Sequence, residues 1–125
     1  MSSHTDILLV GHCGADEAML SHALHKIAPA SQVVSIANHA DAEAAGADTL
    51  LLINRVLDGR FDATSGVELI RHLAGRPDAP TMMLVSNYED AQREAVEAGA
   101  ALGFGKARIH ETATAQMLRE ALEGS

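Results

Sequence analysis

The feature that most constrains the fold of this chain is an alternation of two hydrophobic periods. Short apolar runs, such as Ile7–Val10, Leu50–Ile53 and Met82–Val85, are separated by longer stretches whose apolar residues recur every three or four positions. A short unbroken apolar run bounded by turn residues fits a strand buried on both faces, and the longer spacing fits a helix with one buried stripe. Ile7–Val10 follows Asp6 and leads into Gly11-His12-Cys13-Gly14, a strand and a turn. From Ala15 onward Met19, Leu20, Ala23, Leu24 and Ile27 fall at helical spacing, until Pro29 closes the segment. Gln32–Ile36 is a second strand, and Asn38 is placed to cap a short Ala-rich helix running to Ala45. Leu50–Ile53 is the third strand, followed by a long loop from Asn54 to Ser65. Val67, Leu69, Ile70 and Leu73 mark a helix ending near Gly75; Pro80 precedes a fourth strand over Thr81–Val85. Asp90–Ala98 is a helix stopped by Gly99, Ala100–Phe104 a weak fifth strand, and Thr112–Glu123 a last helix with Met117, Leu118, Ala121 and Leu122 inward.

Apolar strands separated by helices imply a parallel sheet covered on both faces, because parallel neighbours need crossovers. Right-handed crossovers then give an α/β, doubly wound, five-stranded parallel sheet in flavodoxin-like order, written (βα)5. Ligands in such sheets bind beyond the carboxyl ends of the strands. The residues expected there are Gly11, His12 and Cys13, then Asn54 and Arg55, then Ser86 and Asn87, and finally Lys106.

Composition narrows the function classes. The chain has 125 residues and no internal break, so residues 1–125 are expected to form one domain. Nine Lys and Arg stand against 17 Asp and Glu, for a formal charge of −8, and the basic residues are scattered; a nucleic-acid partner needs a basic face and is not expected. Cys13 is the sole cysteine, which excludes an internal disulfide and a Cys-rich metal site. The first apolar run has no basic stretch before it and is too short for a signal peptide or a membrane span, so a soluble cytoplasmic protein is the expectation. Ser86 lacks the G-x-S-x-G turn of a hydrolase nucleophile, and L-G-F-G-K at 102–106 lacks the spacing of a phosphate-binding loop. His12 beside Cys13 supplies two metal ligands with no third in sight. His22, His25, His39, His72 and His110 carry no recognised ligand spacing. No metal site is expected from any of them.

Taken together, the strand ending at Asn54, Gly66 opening the third helix, Val85–Ser86, and Ala98-Gly99-Ala100 followed by Lys106 resemble the response-regulator receiver domain of two-component phosphorelay signalling, the CheY-like superfamily. The resemblance spans nearly the whole chain. In that family an aspartate ending strand three takes a phosphoryl group, and two acids after strand one help it hold Mg²⁺, a hard cation that wants oxygen ligands. A Ser or Thr after strand four and a Lys after strand five bind the phosphoryl oxygens and switch the surface. By this resemblance Ser86 and Lys106 keep the switch and anion-binding positions. The acceptor position is Asn54, and the acidic-pair positions are Gly11 and His12. The loop from 54 to 66 is several residues longer than usual, Ala107 stands where a proline normally follows the lysine, and the possible switch aromatic, Phe104, lies two residues before Lys106 rather than three.

The resemblance therefore implies a non-enzymatic pseudo-receiver that works by protein–protein interaction without aspartyl phosphorylation and without Mg²⁺. Its partners would come from a signalling pathway, a histidine kinase or another regulator, with no nucleic acid and no membrane. A weak homodimer through helix four, strand five and helix five is expected, with Tyr88, Gln92, Arg93, Arg108 and Arg119 on that face. Two alternatives are a phosphoacceptor receiver using Asp58 or Asp62 in the long loop, and a small-anion sensor through Lys106 and Ser86. Lys106 is expected to pair with Asp58, Asp62 or an anion, and Asp16 and Glu17 to serve only the dipole of the first helix.

Overall fold

The computed structural model describes residues 6–123. Its elements are β1 (Asp6–Val10), α1 (Gly14–Ile27), β2 (Gln32–Ile36), α2 (His39–Glu43), β3 (Thr49–Asn54), α3 (Gly66–Ala74), β4 (Thr81–Val85), α4 (Glu89–Ala98), β5 (Ala101–Phe104) and α5 (Thr112–Leu122), with a 3₁₀ turn at Lys106–Arg108. The strands form one parallel sheet in the order β2-β1-β3-β4-β5, the flavodoxin-like order. Each expected strand and helix is present, with ends displaced by one or two residues; the 3₁₀ turn was not expected.

The apolar runs lack alternation because both faces of the sheet are covered, yet the period of two survives in the packing. Leu8, Val10, Leu51, Ile53, Met82 and Leu84 meet Ala42 of α2, Val67, Leu69, Ile70 and Leu73 of α3, and Ala91 and Ala95 of α4. Ile7, Leu9, Leu50, Leu52, Met83, Val85 and Phe104 face α1 and α5, through Leu20, Ala23, Leu24, Leu118 and Leu122. With almost no aromatic volume, close packing falls to aliphatic side chains, and truncating a fully buried one such as Leu52 to Ala costs about 2–5 kcal/mol. The edge strands are less covered: Val34 of β2 and Leu102 of β5 are exposed. None of the described helices is long and apolar enough to cross a membrane.

Register fixes what meets at the carboxyl edge. Val10 pairs with Ile53, and Asn54 with Val85, so Gly11, Asn54 and Ser86 emerge together. The loop after β3 is bound along its length rather than loose. The Asp58 amide donates to Gly11 O (2.9 Å), the Arg60 amide to Ala37 O (2.8 Å) and the His39 amide to Arg60 O (2.8 Å), forming a parallel bridge between Asn38 and Arg60. Gly66 then brings the chain back against the end of β3: its amide donates to Arg55 O (2.8 Å), and a Cβ there would stand 2.1 Å from Asn54 O. Ser65 and Asn38 cap α3 and α2 by accepting from the Glu68 and Asp41 amides.

Candidate functional site

The side chain of Asn54 is spent on its surroundings. Its Nδ2 donates to Val56 O (2.7 Å) and to Gly11 O (3.2 Å), while its Oδ1 accepts from Lys106 Nζ (3.2 Å). The amide orientation is dictated by chemistry, since carbonyls can only accept and an ammonium can only donate. A carboxylate could make only the third of these contacts.

Lys106 enters from the 3₁₀ turn after β5, and its main partner is Asp16, whose Oδ2 lies 2.6 Å from Nζ. Both expected partners are thereby corrected. Asp58 and Asp62 are exposed in the loop, and Asp62 reaches His39 Nε2 at 4.0 Å instead. Asp16 does sit in the first turn of α1, as expected, but that turn starts at the carboxyl edge of the sheet and aims its carboxylate at the lysine. The Lys106 hydrogen bond holds the Asp16 carboxyl below the usual range, aided by the Cys13 side chain and opposed by partial burial.

Gly11 and His12 place no side-chain ligand in this cleft. Gly11 has φ +75°, a left-handed conformation, and a Cβ there would stand 2.7 Å from a Leu57 methyl. Its carbonyl already accepts from Asn54 and Asp58. His12 is buried and points inward, with Nε2 2.9 Å from Leu52 O. That carbonyl only accepts, so Nε2 carries the proton, and Nδ1 is buried without a partner. Desolvation pushes the His12 pKa below its ordinary value; the Leu52 hydrogen bond opposes this and the charge on Lys106 adds to it. The charged side chains at the cleft are therefore Lys106 and Asp16, which offset each other, and Arg55.

Ser86 is buried at the end of β4, where its Oγ accepts from the Tyr88 amide (3.2 Å) and its own amide donates to Phe104 O (2.9 Å). Phe104 is itself buried in the α1–α5 core. Ala107 uses the amide hydrogen that a proline would lack, donating to Asn87 Oδ1 (3.3 Å). Asn54, Arg55, Val85, Ser86, Tyr88 and Lys106 line a cleft of about 240 Å³, and the Arg55 guanidinium lies 5.0 Å from the Tyr88 ring centre. The structure thus brings Gly11, Asn54, Ser86 and Lys106 to one edge, keeps Asp58 and Asp62 outside, and turns His12 away. Asp16 was the residue missed; its partner is 90 positions away in the chain.

No protein-family model matches the chain, and no curated protein matches it significantly. Solved structures do. A signal receiver domain of a DNA-binding response regulator from Colwellia psychrerythraea 34H matches with TM-score 0.68 and 16% identity, covering 94% of this chain and 98% of that one. A second response regulator from Colwellia psychrerythraea gives 0.65 and 15%, covering 95% and 99%. The Mn²⁺-bound form of the response regulator Rcp1 gives 0.64 and 18%, covering 97% and 96%. At these identities the likeness establishes the fold, which this chain shares with response regulator receiver domains.

Proposed function

We propose that the chain is a receiver-like, non-enzymatic signalling domain of two-component type that acts by protein–protein contact, without Mg²⁺ and without phosphorylation of residue 54. The observation that carries this reading is the closed hydrogen-bond set of Asn54. The residue at the acceptor position donates to two carbonyls and accepts from a lysine already neutralised by Asp16. The residues present do not fit a hard divalent cation, which wants several oxygen ligands of net negative charge. Gly11 has no side chain, His12 faces the core, Asn54 is neutral, and the single carboxylate is occupied by Lys106. The Asp16–Lys106 pair also counts against a free anion subsite at Lys106, and the exposure of Asp58 and Asp62 against either as an acceptor.

Phosphoryl transfer is mostly positioning and charge stabilisation, so a nucleophile alone does not restore it. Asn54→Asp would delete the two donors to Gly11 O and Val56 O and set a carboxylate against those carbonyls. We expect it to unfold more easily and to remain unmodified. The test is intact-mass analysis after acetyl phosphate and Mg²⁺, on the native chain and on Asn54→Asp. No mass gain on either is expected. A stoichiometric phosphoryl adduct on the native chain, or efficient labelling of the variant, would overturn the reading.

For the partner surface we propose α4, β5 and α5, with a weak homodimer as one use of it. Its supports are the exposed Leu102 on the edge strand, Val96 on α4, and Tyr88 and Arg93 nearby. Two expected members are corrected. Gln92 is turned inward, with Nε2 donating to Leu84 O (2.8 Å) and Ser86 O (3.1 Å) and Oε1 accepting from the Gly103 amide (3.1 Å), so it locks α4 to β4 and β5. Arg119 reaches Ile27 O at the end of α1. Sedimentation of native chain against Leu102→Asp/Arg93→Glu should show association only in the native; identical profiles would remove this face.

A further inference from the structure

Helix α2 is five residues long and buries only Ala42, yet it carries a group of side chains that the receiver-like edge does not use. His39 and Glu43 lie one turn apart, and His72 of α3 meets them from across the interhelix groove. Glu43 Oε1 is 2.6 Å from His39 Nε2 and 3.0 Å from His72 Nε2. The two imidazole centres are 5.4 Å apart, and one ligand atom from each of the three residues lies within 4.8 Å of the others. Asp62 Oδ2, from the long loop, is 4.0 Å from His39 Nε2. Among the described residues no other group of three His, Cys, Asp or Glu is so placed.

We propose that His39, Glu43 and His72 form a binding site for a divalent transition-metal ion, with Zn²⁺ as its reference ion and Asp62 positioned to complete the coordination. Two imidazoles and a carboxylate form a borderline donor set that selects zinc, copper, nickel or cobalt over magnesium or calcium. In a tetrahedral zinc site with bonds of about 2.0–2.1 Å, donor atoms stand about 3.3 Å apart. The separations of 2.6 and 3.0 Å around Glu43 Oε1 are close to that, so small side-chain rotations open the space an ion fills. The backbone beneath is anchored. The His39 amide donates to Arg60 O, the Arg76 guanidinium donates to Glu43 O, and His72 lies within α3. An ion also has a way in, since Glu43 is 42% and His72 53% exposed. Bound there, it would clip α2 and the long loop to α3.

This inference is independent of the reading of Asn54. The test uses the untagged full chain freed of metal with a chelator, titrated with Zn²⁺ by calorimetry and with Co²⁺ by visible absorption. One ion per chain is expected, with the intense visible bands of four-coordinate Co²⁺ bound to nitrogen and oxygen. His72→Asn and Glu43→Gln should each weaken binding at least about tenfold, the lower end of what losing even an outer-shell partner costs a metal site. Asp62→Asn should cost less, and His22→Asn, on the outer face of α1, nothing. Circular dichroism of each variant shows whether it is folded. Failure of the native chain to bind at millimolar metal overturns the proposal. So does binding that survives in folded His72→Asn, or that is lost instead in Cys13→Ser.

Discussion

At residue 12 the chain buries a titratable group, an imidazole, and that burial has a measurable consequence. Desolvation lowers the His12 pKa from its ordinary 6.5, so the folded protein resists a proton that the unfolded chain accepts. The sign follows by linkage: the unfolded state binds more protons below about 6.5, so stability falls as pH drops from there toward the depressed folded value, then levels off. Asp16 acts in the same direction in a lower window. Its folded pKa is depressed from 3.8 by Lys106, so its contribution is complete above that value and is lost as pH falls through the folded pKa. Two separate declines in urea midpoint are therefore expected, one beginning near pH 6.5 and one below pH 4. The His12 imidazole resonances should hold their neutral positions to a pH below the ordinary 6.5. A His12 that titrates at or above its ordinary value would show that the ring is not buried as described.

At the scale of elements, the sequence was most legible where burial alone decides structure. Unbroken Leu, Ile, Val and Met runs located β1, β3 and β4, because covered strands need no polar face, and the stripe of Val67, Leu69, Ile70 and Leu73 located α3. Boundaries were softer, since terminal residues such as Thr49 and Glu89 join an element by backbone pairing or dipole and leave no hydrophobic signature. The carboxyl edge was legible in its members, because topology and register alone bring residues 11, 54, 86 and 106 together. Its connections were not. Asp16 meets Lys106, and His39 meets His72, through tertiary packing over 90 and 33 positions, and no local pattern encodes such a meeting. Helical spacing could have flagged His39 and Glu43 as neighbours on one face, and the turn that starts α1 could have flagged Asp16 as close to the edge. The ordering of the long loop was not legible either. Its backbone hydrogen bonds to Gly11 and Ala37 come from chain segments that no local window contains.

Across the whole molecule, the helical layers over the two faces of the sheet are of unequal strength, and this should set the order in which the fold opens. On one face α1 and α5 deliver Leu20, Leu24, Leu118 and Leu122 onto β1, β3 and β4; on the other, α3 delivers Val67, Leu69, Ile70 and Leu73. The strands between them, β1, β3 and β4, have neighbours on both sides and nearly complete burial, so their amides can exchange only when the whole structure unfolds. Over β2 the cover thins. That strand is an edge with Gln32, Val34 and Ser35 exposed, and α2 above it is too short to hold itself by helix propagation and buries one residue of five. The β2–α2 segment is therefore the least covered part of the sheet, held by the β1–β2 ladder, by Ala42, Ala45 and Ile36 and by the backbone bonds of residues 37 and 39 to Arg60. Native-state hydrogen exchange should find the amides of β3 exchanging at the global unfolding free energy, about 5–15 kcal/mol for a domain of ordinary stability. The α2 amides should open several kcal/mol below it and with little dependence on denaturant, as small local openings do. Protection of α2 equal to that of β3 would mean that the thin layer is held by something other than the contacts described, and it would remove the hierarchy.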